Sequence, residues 1–146
     1  MKLSAKGHYG MHAMMDLAAR HGRGAVLLRE LCQPHGFSEK FVEQLLRALR
    51  QAGLVESARG PRGGYWLARP PEKITVLEII EALEGELQAP PSGCRSDCLK
   101  RDHCAMLELW DQSSEATRRV LRQTLADLLC RQDEMDHGEA PHDFSI

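Results

Sequence analysis

"FSEKFVEQLLRALRQAGLVESARGPRGGYWLA" (residues 37–68) is the stretch on which the fold turns. Ser38 suits the N-cap of a helix, and Glu39 falls in the first turn, where exposed amides favour a carboxylate. Phe41, Val42, Leu45, Leu46 and Leu49 recur at the three- and four-residue steps of one helical face, and Gly53 ends the pattern. Just upstream, "LRELCQPH" (28–35) reads as a short helix halted around Pro34 and Gly36. Two helices joined by a tight glycine-containing turn have the outline of a helix-turn-helix. Downstream, the β-leaning pieces "LVESA" and "GYWLA" flank the turn cluster "RGPRGG". The order of these elements predicts a winged helix-turn-helix, although each piece alone is common.

Working outward, "GHYGMHAMMDLAARHG" (7–22) predicts an amphipathic helix with Tyr9, Met11, Met14, Met15, Leu17 and Ala18 on its apolar face. "AVLL" (25–28) is a candidate short strand. "PPEKI" (70–74) is a joint, and "TVLEIIEALEGEL" (75–87) is a helix opened by a Thr75/Glu78 capping box. From Cys104 to Gln132 an apolar stripe of Leu107, Trp110, Ala116, Val120, Leu121, Leu125, Leu128 and Leu129 predicts one long helix, suited to packing against a second subunit. The expected class is therefore mainly α with a small β-wing. The expected regions are 1–70 as DNA-binding domain, 71–131 as linker helix, cysteine loop and dimerisation helix, and 132–146 as a disordered acidic tail.

The 146 residues suffice for one domain with a real core. Net charge is −2, but residues 1–70 carry 11 basic and 5 acidic side chains whereas the remainder carry 8 and 16. A basic front and an acidic rear suggest an anionic partner for the first half alone. Neither a signal peptide nor a membrane-spanning run is recognisable, so a cytoplasmic location with no membrane partner is expected. Thiols stay reduced there, and five cysteines make a poor disulfide framework. A cysteine-dependent oxidoreductase would want C-x2-C, a Gly-rich nucleotide loop or a nucleophile–base pair; none is evident, and no enzyme is expected.

A helix that reads DNA buries one face and offers short polar or basic side chains to bases and phosphates. Ser38, Lys40, Glu43, Arg47 and Arg50 fall on the solvent face of residues 38–50. Ser38 and Lys40 lie at the helix N-terminus, which also favours a phosphate. Glu43 is able to accept from a cytosine amino group. Arg59 and Arg62 stand among glycines that permit close backbone approach, which suits a narrow minor groove. Each charge alone is equally well an ordinary solvated one. Together they point to double-stranded DNA.

"GCRSDCLKRDHC" (93–104) spaces Cys94, Cys98 and Cys104 as C-x3-C-x5-C. Thiolates are the ligands of iron–sulfur clusters, and a Gly/Pro-flanked loop is able to wrap a metal core. Structural zinc prefers four ligands, often in C-x2-C pairs, and that spacing is missing. The residues by themselves specify only a metal or redox site.

"MKLSAKGHYGMHAMMDLA", "FVEQLLRALRQAGLVESARGPRGGYWLA" and the spaced cysteines before a long helix resemble the IscR- and NsrR-type regulators of the Rrf2 family. The resemblance reaches to about residue 130, and the wing is its most specific part. It implies a homodimeric winged-helix transcription regulator whose affinity for an operator is set by an iron–sulfur cluster or, in some branches, by another signal. It places the helix from Ser38 in the major groove and the wing with Arg59 in the minor groove. The chain also departs from the pattern. The first cysteine gap is short, and Leu107 stands where IscR-type chains carry a ligating histidine. In the NsrR branch the non-cysteine ligand comes from the start of the first helix, here His8, with His12 one turn later as a neighbour able to orient it. Three cysteines plus His8 suit a 2Fe–2S cluster, and a 4Fe–4S core is also compatible. His103 and His35 are weaker candidates. Cys32 reads as a small buried hydrophobe, and Cys130 as either that or a solvent thiol. The rival expectation is a regulator of the same family that senses through thiol oxidation or a small molecule without a cluster.

Overall fold

The computed structural model describes residues 3–87 and 104–138. In chain order it contains α1 (Ala5–Ala19), α2 (Leu28–Cys32), a 3-10 turn (Gln33–His35), α3 (Glu39–Gln51), β1 (Val55–Ala58) and β2 (Gly64–Leu67). A second 3-10 turn (Pro71–Lys73), α4 (Val76–Glu84), α5 (Ala105–Leu121) and α6 (Leu125–His137) follow.

The expected stripe of α3 is realised: Val42, Leu45, Leu46 and Leu49 are buried, and Phe41 packs partly buried beside them. Beyond Ala52 the chain passes through Gly53 at φ +73°, and the Leu54 amide donates back to the Leu49 carbonyl at 3.0 Å. That left-handed residue and back-bonded amide form a Schellman-type stop, which turns the chain directly into β1. β1 and β2 pair antiparallel, from Val55 opposite Leu67 to Ala58 opposite Gly64. The strand expected at 25–28 contracts to one residue. Val26 and Tyr65 exchange two backbone hydrogen bonds of 2.8 Å, while Leu28 already begins α2. The cause is local: Glu30 accepts the Leu27 amide at 2.8 Å and starts the helix there.

α1 runs through the centre. Gly7 and Gly10 are buried where α4 crosses it, and a Cβ added at Gly10 would stand 2.2 Å from Leu83 Cδ1. Glycine costs roughly 0.5–1 kcal/mol in a helix relative to alanine. Here it lets two helices approach closely. α1 has no acid in its own first turn; Glu84, at the end of α4, accepts the Ser4 and Gly7 amides at 3.3 and 3.0 Å and also the Ser4 hydroxyl. α4 starts with the expected box: Thr75 accepts the Glu78 amide at 3.2 Å and Glu78 accepts the Thr75 amide at 2.8 Å.

Two boundaries differ from expectation. The single long helix is two, α5 and α6, parted at Arg122–Thr124. Thr124 accepts the Asp127 amide at 3.1 Å and opens a new capping box. The break is locked by a short backbone pairing, with Val76 donating to Gln123 and Leu125 to Ile74, both at 2.9 Å. In addition, α6 continues through His137, beyond the boundary expected at 131. One hydrophobic cluster joins Met14 and Leu17 of α1, Leu31 of α2, Leu46 and Leu49 of α3, Ile79 of α4 and Leu125 of α6. The division expected at 70/71 therefore marks no break in the core.

Candidate nucleic-acid interface and sensor site

Ser38 occupies the N-cap of α3, yet its hydroxyl makes no capping bond; its carbonyl instead accepts from Phe41 and Val42 at 3.1 and 3.0 Å. The hydroxyl is thus left to solvent, together with the exposed side chains of Lys40, Glu43 and Arg47. Glu43 and Arg47, one turn apart, approach to only 4.0 Å, and both are more than half exposed. So loose a surface pair contributes about 0.3–0.5 kcal/mol and leaves both groups available.

The wing stands across an open groove from α3. Arg47, Arg50 and Arg59 line that groove together with Glu43, Ser57 and Tyr65. Arg50 donates to the Ser57 hydroxyl at 2.8 Å, tying the last turn of α3 to β1. The sequence marked Arg50 only as a solvent-facing base; its role as a bridge depends on the hairpin folding back. Gly60 at φ +103° turns the tip, and the Gly63 amide donates to the Gly60 carbonyl at 2.9 Å. A Cβ at Gly63 would lie 2.4 Å from the Ala58 carbonyl oxygen, and one at Gly64 would lie 2.6 Å from the Val26 oxygen. Glycines at 60, 63 and 64 are therefore required by the turn, and they hold Arg59 and Arg62 exposed on either side of it. Trp66 Nε1 donates to Glu56 across the pair at 2.9 Å.

A second constellation lies along α1. His8 is exposed on the first turn, and among the described residues its ring nitrogens carry no hydrogen bond. Its ring meets His12 edge-on at 4.7 Å between centroids. His12 in turn lies 4.7 Å from His35, whose Nε2 is 2.9 Å from Asp16 Oδ2. Burial, followed by the neighbouring imidazoles His35 and His8, lowers the pKa of His12 below its usual value. His35 was a weak candidate in the sequence, and no spacing rule places it here; the turn after α2 brings it to α1.

Cys104 forms the N-cap of α5, is half-buried and carries a free thiol. Leu107, one turn on, supplies no ligand. Cys94, Cys98 and His103 lie outside the described residues. Both sides of the cysteine segment are nonetheless anchored. Glu84 holds the first turn of α1 to the end of α4, and Arg118 of α5 donates to the Leu87 carbonyl at 3.1 Å while pairing with Glu81 at 3.3 Å. Hydrogen bonding from Ser4, with the amides of Gly7 and Ser4 adding to it, holds the Glu84 carboxyl below the usual range despite some desolvation. Among the described residues no group of three or more His, Cys, Asp or Glu is placed to hold a metal ion. His8 and Cys104 are each chemically suited and free to serve as donors, but the described part of the set is not a metal site by itself. Cys32 is buried beneath the reader, and burial, with Glu39 adding to it, raises its thiol pKa. Cys130 is exposed on α6.

A helix-turn-helix with a glycine-tipped wing and an exposed basic groove defines the class: a winged-helix DNA-binding protein. The particular family follows from comparison. Residues 3–131 match the Rrf2 family profile, described as "Iron-dependent Transcriptional regulator", and the chain belongs to that family. It is 41% identical over 129 residues to the transcriptional regulator CymR of Bacillus subtilis, covering 88% of this chain and 89% of that one. It is 35% identical to IscR of Cronobacter sakazakii over 143 residues, 97% and 88% of the two chains. Among solved structures, CymR, the global cysteine regulator of B. subtilis, superposes with a TM-score of 0.78 at 39% identity, covering 90% of this chain and 98% of that one. T. potens IscR superposes with a TM-score of 0.76 at 39% identity, covering 96% and 94%. The chain is accordingly a transcription regulator, and its relatives are regulators of DNA rather than enzymes. No helix among the described residues is long and apolar enough to cross a membrane.

Proposed function

We propose that this protein is a homodimeric operator-binding regulator whose DNA affinity is set by an iron–sulfur cluster held by Cys94, Cys98, Cys104 and His8. The observation that carries the reading is the exposed His8 imidazole, without a hydrogen bond among the described residues, on a turn that Glu84 pins to α4, the element leading into the cysteine segment. Cys104 opens α5, which Arg118 ties to Glu81, one turn before Glu84 on α4. A bound cluster supplies a redox- and nitric-oxide-reactive centre. His8 and the cysteines bind it, and His12 packs edge-on beside the histidine ligand. 2Fe–2S is favoured, with 4Fe–4S as the other candidate.

In the reader, Ser38, Lys40, Glu43 and Arg47 enter the major groove, and Arg59 and Arg62 reach the minor groove and its phosphates. Dimerisation falls to α5, which has no buried residue and exposes Met106, Leu109, Trp110 and Val120. The cytoplasm is the compartment in which such a regulator meets DNA. The functional division is then 1–70 as reader and 71–131 as sensor and dimer arm.

Protein purified without oxygen should be coloured and contain iron and acid-labile sulfide, and removing the cluster should change operator affinity. A His8→Ala protein with wild-type spectrum, cluster lifetime and pH response removes His8 from the ligand set. A second reading is favoured by the half-exposed Cys104 and by the likeness to B. subtilis CymR, a global cysteine regulator, and to Staphylococcus aureus CymR, solved in an oxidised form. Here thiol oxidation, or a bound small molecule, would set DNA affinity without a cluster. Iron-free wild-type protein whose operator binding responds to peroxide and recovers with thiol reductant would establish the thiol version.

A further inference from the structure

The rings between α1 and the start of α3 form an unbroken series. His8 meets His12 at 4.7 Å, His12 meets His35 at 4.7 Å, and His35 stacks on Phe37 at 4.8 Å with planes 18° apart. Phe37 also stacks on Tyr9 of α1 at 4.2 Å, and the next residue is Ser38, the N-cap of α3. Asp16 fixes the middle of the series through its 2.9 Å contact with His35 Nε2, a pair only about a quarter exposed. The His35 turn is itself short and tied, with Gly36 at φ +65° and the Phe37 amide donating to the Cys32 carbonyl at 3.1 Å.

We infer that His35, pinned by Asp16, is the strut that transmits the state of His8 to the recognition helix. The inference deepens the proposed function and rests on it for the nature of the signal. When His8 turns toward a ligand it withdraws its edge from His12, which then settles against His35. A freely rotating ring at position 35 would absorb that movement. Because Asp16 holds the ring nitrogen, the displacement passes instead to Phe37 and the turn that aims α3. His35 is a positioning residue. Its side-chain contacts among the described residues are with His12, Asp16 and Phe37.

The test is a double-mutant cycle in cluster-free protein, read by hydrogen exchange of the amides of residues 36–42. Wild type, His8→Ala, His35→Ala and the double variant are compared, with Asp16→Asn replacing His35→Ala should the latter fail to fold. His8→Ala should alter exchange in that segment by about threefold, an effect absent in the His35→Ala or Asp16→Asn background. An effect of His8→Ala that is missing from the start, or that persists undiminished without His35, overturns the strut whether or not the protein holds a cluster. Iron and sulfide analysis of the wild type decides the cluster separately. Where a cluster is present, His35→Ala should keep the iron content and bring the operator-affinity ratio of loaded to cluster-free protein toward one. Loss of iron in that variant would make His35 part of the cluster pocket and overturn its role as a strut.

Discussion

α3 and α5 are both amphipathic helices of similar construction, yet they spend their apolar faces differently. α3 buries Val42, Leu45, Leu46 and Leu49 inside its own chain, whereas α5 buries nothing and leaves Leu109 61% and Val120 59% exposed. A stripe completed within the chain stabilises the fold directly. A stripe left open contributes only when another surface covers it, which in the proposed dimer is the partner's.

The largest test of this contrast sets Leu46→Ala beside Leu109→Ala. Truncating Leu46, fully buried, should cost about 2–5 kcal/mol of unfolding free energy. Leu109→Ala should leave the unfolding of dilute monomer within roughly 0.5 kcal/mol while raising the dimer dissociation constant measured by sedimentation. Equal losses of monomer stability would erase the distinction. Next, Arg59→Ala should weaken operator binding by about 1–3 kcal/mol at fixed salt, with iron content unchanged. A titration in which both move together would show that the wing and the sensor are not separable.

Thr124→Ala removes the cap of α6 and should lower stability by about 1 kcal/mol, seen in the denaturant midpoint. Because Leu125 is buried next to that cap, the loss should appear in global unfolding rather than as fraying of α6 alone. The smallest effect concerns pH. The Glu84 carboxyl is held below its unfolded value of 4.5, so its stabilisation is fully present above that pH and disappears as pH falls through the lower folded value. Glu78 behaves likewise: burial raises its pKa, but the Thr75 amide and Arg69 outweigh that and bring it down. Glu84→Gln should lower stability in the neutral range and flatten the acid limb, so that variant and wild type converge as pH falls well below 4.5. An unchanged acid limb would remove the Glu84 contact from the forces that hold α1 to α4.

The reader half was legible because its signals are local. The apolar period of α3, the stop at Gly53 and the turn cluster at residues 59–64 each specify geometry within a few residues. The Thr75/Glu78 box was legible for the same reason. The break between α5 and α6 was not, although Thr124 and Asp127 carry the same signature in weaker form. The apolar stripe runs on through Leu121, Leu125 and Leu128, and periodicity alone reads it as one helix. The residue that decides is Ile74, whose carbonyl receives the Leu125 amide from 51 residues away in the chain.

The sequence by itself therefore determined the winged helix, its basic face and the cysteine spacing, since each depends on neighbours along the chain; His8 became a candidate through the family resemblance. Tertiary structure alone decided that Glu84 caps α1, that Arg50 bridges to Ser57, and that His35 joins His12 and Asp16. These contacts link residues on different elements through directional bonds and ring stacks. Their partners are chosen by how the helices pack, which residue type and spacing do not encode one position at a time.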